Sequence, residues 1–321
     1  MSETKSRNYC LDLAKAIACI CVVFMHCEFP GYLGILVQCV SRFSVPLFFM
    51  ISGYFCYRKD GETDYRKKIR HICKMILYGT VLYSILTVML QEVYPLTVKG
   101  LFDWIVFNEP EIIAPQMWFL FALLYDYILF SLVEKYKAYK IAYACIPLGI
   151  IIYIIMAQGM HLYGIKVTNY YYRNFLIEGF PLFSLGYLIH EKEEQIKVSD
   201  KILIGTMIVS TLLCPVERAL LGRDFGVNIV TFFQVVSIFL YCLKHPDLGK
   251  GNRLAEFGAT YSMYIYLFHP AIWILLKKVY KLLGLRSYPI AMYLMPIFCV
   301  LLTCFISFAF LKTKKKIEKA D

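Results

Sequence analysis

CLDLAKAIACICVVFMHCEF, residues 10–29, is the stretch whose reading decides the fold. Its twenty residues are apolar except for Asp12, Lys15, His26 and Glu28. At about 1.5 Å rise per residue this is enough to cross a bilayer as one helix. Ionisable groups are expensive inside hydrocarbon, so their presence there points to function. Lys15 and His26 are eleven positions apart. At ~100° per residue they return to one face with an offset of about 20°, roughly 16 Å apart along the axis. The spacing predicts a cation at one membrane surface and a titratable imidazole far down the same stripe. Asp12, three residues before Lys15, is placed to pair with it. A snorkelling lysine and a histidine satisfied by a neighbouring helix would give the same pattern, so the rest of the chain must decide.

Outward from this stretch, the 321-residue chain is 59% hydrophobic with a mean hydropathy of +0.58. Soluble domains are nearer 45–50% apolar, by the usual approximate composition. The expectation is an all-α integral membrane protein embedded in the lipid bilayer. Apolar runs place about ten transmembrane helices at 10–29, 33–57, 75–92, 116–134, 141–158, 174–190, 202–218, 227–243, 257–277 and 290–311. One polytopic membrane domain, 1–321, takes up the whole length and leaves no room for a second, soluble domain. The first stretch is too long and too charged for a cleaved signal and is taken as a retained span. An even number of spans puts both termini on one side. With that side cytoplasmic, 23 of the 34 Lys and Arg lie in inner segments and nine in outer ones. This is the positive-inside bias. The net charge of +11 is therefore an orientation signal, and no nucleic-acid partner is implied. The 12 cysteines include no CxxC and no zinc-ligand spacing, so neither a disulfide framework nor a metal site is predicted. The outer loop 93–115 is acidic, through Asp103, Glu109 and Glu111, and its segment 100–107 is predicted to be a short amphipathic surface helix.

Further charges enter the predicted spans: Arg42, Asp126, Glu178, Glu217 and His269. The first two spans are joined by a tight connection at 30–32, so they are neighbours, with His26 and Arg42 both in outer halves. A guanidinium beside an imidazole favours its neutral, basic form. His269 is followed by Pro270, which frees a carbonyl within the span. Arg66, Lys67, Arg70 and Lys74 recur at helical spacing and form one cationic face. Such a face suits either anionic lipid or a phosphate-bearing ligand.

Six segments taken together resemble the acyltransferase family 3 membrane proteins. They are LDLAKAIACICVVFMH (11–26), SRFSVPLFFMISGYF (41–55), RKKIRHICK (66–74), QMWFLFALLY (116–125), RNFLIEGFPLFSLGYLI (173–189) and YSMYIYLFHP (261–270). They occur in family order over nearly the whole chain. In that family the first span carries Arg, ten residues, then His. Here the Arg is Lys15, which keeps the charge but loses the bidentate fork, and Gln116 stands where the family often has His. The nearest subgroup resembles the membrane domains of vancomycin-resistance serine/alanine racemases. Those carry a pyridoxal-phosphate racemase domain after the last span. No such domain is seen in this chain, and racemase chemistry is not expected.

The resemblance implies a multi-pass protein of the bacterial plasma membrane. It implies transfer of an acyl group, usually acetyl, from cytoplasmic acyl-CoA (acetyl-CoA) as co-substrate to a surface carbohydrate or lipid-linked glycan. On this reading His26 is the general base, Arg42 stabilises the oxyanion and His269 completes the catalytic set. Lys15, Arg66, Lys67, Arg70 and Lys74 meet the anionic head of CoA. The base then lies about 15–20 Å deeper by helix rise. Trp118, Asp126 and Arg173 are the candidate substrate-binding residues, with Tyr170, Tyr171 and Tyr172 as stacking partners for a sugar. The rival expectation is a transporter for a small amino acid such as serine, using the same buried charges as its path. No inverted repeat or matched pair of Gly/Pro-broken spans supports it.

Overall fold

The computed structural model describes residues 7–59, 63–90, 97–109 and 115–317. Among them there are helices and no strands. Thirteen α-helices follow in order: α1 Tyr9–His26, α2 Gly31–Ser41, α3 Ser44–Tyr54, α4 Tyr65–Leu90, α5 Val98–Phe107, α6 Trp118–Tyr136, α7 Tyr139–Ile154, α8 Met160–Leu162, α9 Phe180–Glu191, α10 Asp200–Leu221, α11 Ile229–Lys244, α12 Arg253–Leu282 and α13 Pro289–Ile317. Among the described residues, each of the ten stretches predicted as spans is largely helical. By length and composition, seven are long and apolar enough to cross a membrane, counting Gly31–Tyr54 as one. The other three fall short for visible reasons. α6 carries Asp126, Glu134 and Lys135, α11 has 16 residues, and α9 has 12 residues behind a π-helical turn, Phe175–Gly179. Two boundaries differ from the sequence reading. α4 starts at Tyr65, so the basic segment is already helical. The second predicted span is broken after Ser41 and resumes at Ser44. Pro46 explains the break: it has no N–H to offer the carbonyl of Arg42. The surface helix predicted at 100–107 is present as α5, with Phe102, Ile105 and Val106 exposed. Glu111 lies outside the described residues.

The chain divides into two compact units. The first comprises Met1–Ser44, Ser199–Arg218 and Val230–Asp321. Its spine is the pair α1 and α12, packed through small residues. A Cβ placed on Gly258 would lie 2.0 Å from the Asp12 carbonyl oxygen and 2.7 Å from the Ala16 nitrogen, so only glycine lets the backbones meet there. Ala14, Ala16 and Ala18 of α1 and Ala255 of α12 are buried around this contact. Close approach through small residues replaces the hydrophobic drive that lipid does not supply. α13 shows the matching inside-out pattern. Cys299, Thr303 and Ser307 form a fully buried stripe, while Leu301, Phe305 and Phe308 are exposed. An apolar outer face over a small, polar inner one is what a lipid-facing helix requires.

The second unit comprises Val45–Val198 and Ala219–Ile229. α3 and α9 cross with the same device, used reciprocally. A Cβ on Gly53 would lie 1.9 Å from the Phe183 carbonyl oxygen, and one on Gly186 would lie 2.0 Å from that of Met50. Around the crossing the filling is aromatic: Phe49 meets Phe119 at 4.8 Å between ring centroids, and Phe130 meets Phe183 at 5.0 Å and Tyr187 at 4.6 Å. Buried Glu134 of α6 accepts from the Tyr65 hydroxyl at 2.8 Å and the Thr63 amide at 3.3 Å. That tie fixes the start of α4 from beneath.

Candidate functional site

The α1–α12 seam runs parallel and in register. Ala16 meets Gly258, the Cys19 thiol donates to the Ser262 carbonyl at 3.6 Å, and two turns further on His26 meets His269. The two imidazole centroids are 5.1 Å apart with the rings inclined at 44°. His269 is fully buried and His26, the last residue of α1, is exposed. His269 Nδ1 lies 3.0 Å from the Ile265 carbonyl oxygen. A carbonyl only accepts, so Nδ1 is the protonated nitrogen and Nε2 keeps its lone pair. Nε2 is buried and makes no hydrogen bond among the described residues. Pro270 denies the Tyr266 carbonyl its helical donor.

Arg42 stands at the break between α2 and α3, as the C-cap of α2. Its Nη1 lies 3.7 Å from Met25 Sδ, so the guanidinium sits beside the last turn of α1. The structure thus gathers His26, His269 and Arg42 at one end of the seam, all within the first unit. Two residues that the sequence reading missed join them. The Trp273 ring is 6.5 Å from that of His26, and Lys277 Nζ is 4.0 Å above the Trp273 ring. The signal for both was present, since His269, Trp273 and Lys277 follow at intervals of four along one helical stripe.

At the other end of α1, Lys15 donates to Asp12 Oδ1 at 3.0 Å and Arg7 Nε donates to Asp12 Oδ2 at 2.7 Å. The Asp12–Lys15 pair anticipated from the sequence is therefore present, joined by a second cation.

The remaining candidates belong to the second unit. Arg66, Lys67, Arg70 and Lys74 are all exposed on the first turns of α4, as one face. Trp118 and Arg173 come together, with the guanidinium 4.9 Å above the indole. Asp126 lies two turns along α6 from Trp118 and is fully buried against Gly179, where an added Cβ would be 2.6 Å from its Oδ2. Buried Asn108, in left-handed conformation after α5, ties this region together. Its Nδ2 donates to the Trp118 carbonyl at 3.1 Å, and its Oδ1 accepts from the Phe175 amide at 2.8 Å.

A family model described as acyltransferase domain, that of the acyltransferase 3 family, matches residues 8–312. The chain is also similar to a serine/alanine racemase of Enterococcus gallinarum, with 25% identity over 297 residues, 82% of this chain and 40% of that protein. It spans about two fifths of the length of that relative. No solved structure matches.

Proposed function

Since the chain belongs to the acyltransferase 3 family of membrane proteins, we propose that it moves an acyl group, acetyl in the simplest case, from cytoplasmic acyl-CoA to a hydroxyl of a cell-surface or cell-wall carbohydrate. The observation that carries this reading is the His26–His269 pair at 5.1 Å, with Arg42 beside the same helix end. His269, held by Ile265, packs its ring beside that of His26 and so limits the orientations His26 can adopt. Neutral His26 takes the proton of the acceptor hydroxyl as its oxygen attacks the thioester carbonyl. Arg42 stabilises the negative charge that develops on the carbonyl oxygen. Collapse of the tetrahedral intermediate forms the ester and breaks the carbon–sulfur bond. The CoA thiolate then takes the proton from His26.

The exposed face of α4, with Arg66, Lys67, Arg70 and Lys74, is assigned to the phosphates of the donor. Lys15, neutralised in part by Asp12, is a further cation assigned to the donor. Trp118 and Arg173, stacked on one another, are assigned to the acceptor, whereas Asp126, fully buried against Gly179, is set apart from it. The proposal includes ten spans with both termini in the cytoplasm of a bacterial cell, on the distribution of basic residues between segments. Acceptor-dependent release of CoA thiol by the purified chain in lipid nanodiscs is the direct test. Thiol release with any of a panel of cell-wall glycans supports the reading. Cellular accumulation of labelled serine without any thiol release would replace it with transport.

A further inference from the structure

Two arginines of the second unit carry donors that nothing in the described residues accepts. Arg173 lies over the Trp118 ring at 4.9 Å, and Arg223 lies over the Phe225 ring at 5.4 Å. Among the described residues neither guanidinium makes a hydrogen bond or an ion pair, and Arg173 Nε is buried. Each guanidinium presents five N–H donors in a planar fork. Leaving such donors shielded from water and unsatisfied is costly.

Both arginines stand on segments that are held in place. Asn174, next to Arg173, accepts from the amides of Leu176 and Ile177 and donates to the carbonyls of Tyr170 and Tyr171. The Arg223 segment is fastened by buried Tyr153, whose hydroxyl donates to the Phe225 carbonyl at 3.0 Å and accepts from the Val227 amide at 2.9 Å. The two segments meet at Tyr172, 2% exposed, whose ring packs on Tyr153 at 5.2 Å. Burial raises the Tyr172 hydroxyl above the ordinary phenol range, and the positive charges of Arg223 and Arg173 oppose that shift. Two carboxylates, Glu178 and Asp224, act there in the opposite sense. Asp224 Oδ1 already accepts from the Gly226 amide at 3.0 Å.

We propose that Arg173 and Arg223, on the two segments that flank Tyr172, form a binding site for a phosphate group. Each aromatic ring fixes the plane of one guanidinium and removes water from beneath it. Two forks held this way match the several oxygens of a phosphate better than a single carboxylate. The phosphate belongs either to a phospholipid headgroup or to a soluble or glycan-linked phosphate. This extends the acceptor assignment of Arg173. Its test reads binding rather than turnover, so the site and the acyl-transfer reading can fail separately.

The experiment uses the full chain and two probes. Inorganic pyrophosphate is titrated against protein in nanodiscs of phosphatidylcholine. Phosphatidylglycerol retention is measured by native mass spectrometry of protein released from mixed lipid. Saturable pyrophosphate binding identifies a soluble or glycan-borne phosphate, and selective phosphatidylglycerol retention identifies a headgroup. Arg173→Gln and Arg223→Gln should each weaken the responding probe by about tenfold, the loss of a charged hydrogen-bond partner. Arg173→Lys should lose less, and its elution as a monodisperse species controls for folding. Lys166→Gln, at an exposed position of the same unit, should change nothing. Failure of both probes, unchanged binding in the double Gln variant, or an equal loss in Lys166→Gln would each overturn the site.

Discussion

The α1–α12 seam of the first unit and the α3–α9 crossing of the second are built with one device and serve different ends. In both, glycine lets two backbones touch, at Gly258 in the seam and at Gly53 and Gly186 in the crossing. The crossing is then filled with aromatic rings, and its ionisable neighbour Asp126 is sealed from solvent. The seam continues to two facing imidazoles, one buried and one exposed, with a guanidinium at the same end. Close packing by itself therefore says nothing about chemistry. What distinguishes the seam is that its packed end opens on a titratable side chain whose neighbour holds an unused lone pair.

The strongest way to break this contrast is at His26. His26→Ala should cut acyl transfer by ~10²–10⁴-fold, the range of a positioned base, while the protein still inserts and binds CoA. Wild-type turnover should fall as pH is lowered, because a protonated His26 accepts no proton. A single-turnover assay across pH checks both statements, and near-normal transfer by His26→Ala would remove the base.

Next in size is Arg42. Loss of the charge that steadies an oxyanion is expected to cost about 10²–10³ in turnover, so Arg42→Ala should show this and Arg42→Lys a smaller defect. Equal defects in the two variants would mean that Arg42 acts through its shape at the helix break.

A paired glycine experiment sharpens the comparison directly. Gly258→Ala should lower turnover per folded molecule about tenfold by separating the seam that aligns the two histidines. Gly53→Ala should lower the thermal midpoint with little change in turnover per folded molecule. Thermal unfolding of both variants, together with kinetics on the folded fraction, reads the difference.

The smallest effect is expected at α4. Replacing Arg66, Lys67 and Arg70 by Gln should weaken CoA binding several-fold at low salt, with the difference shrinking as ionic strength screens the wild-type contacts. Unchanged affinity, measured by isothermal titration, would leave this face as an anchor for anionic lipid.

Much of the first unit was legible in the sequence, because Lys15 and His26 sit on one helix with fixed geometry and Asp12 lies one turn from Lys15. The helical run at 66–74 was legible for the same reason. Partner choice between helices was not. A helix such as α7 is apolar nearly all round, since lipid and protein interior both accept apolar side chains, and periodicity then fails to mark the packed face. The meeting of His26 with His269 depends on that missing information. The break at Arg42 was hidden differently. Averaged hydropathy carries straight through SRFSVP, and only Pro46, read for the carbonyl it leaves bare, reveals it. The π-helical turn Phe175–Gly179 and the two-ended tie of Asn108 depend on contacts distant in the chain and left no local mark.

The register of the seam turns the ten residues between Lys15 and His26 into a ruler. Because Gly258 clamps the backbone between Asp12 and Ala16, everything beyond that clamp is indexed from it. One residue inserted between Ala16 and His26 would swing the imidazole by about 100° and advance it by about 1.5 Å. No substitution elsewhere on α1 could restore the alignment. The interval should thus tolerate changes of apolar side chain at outward-facing positions such as Ile17, but changes of length hardly at all.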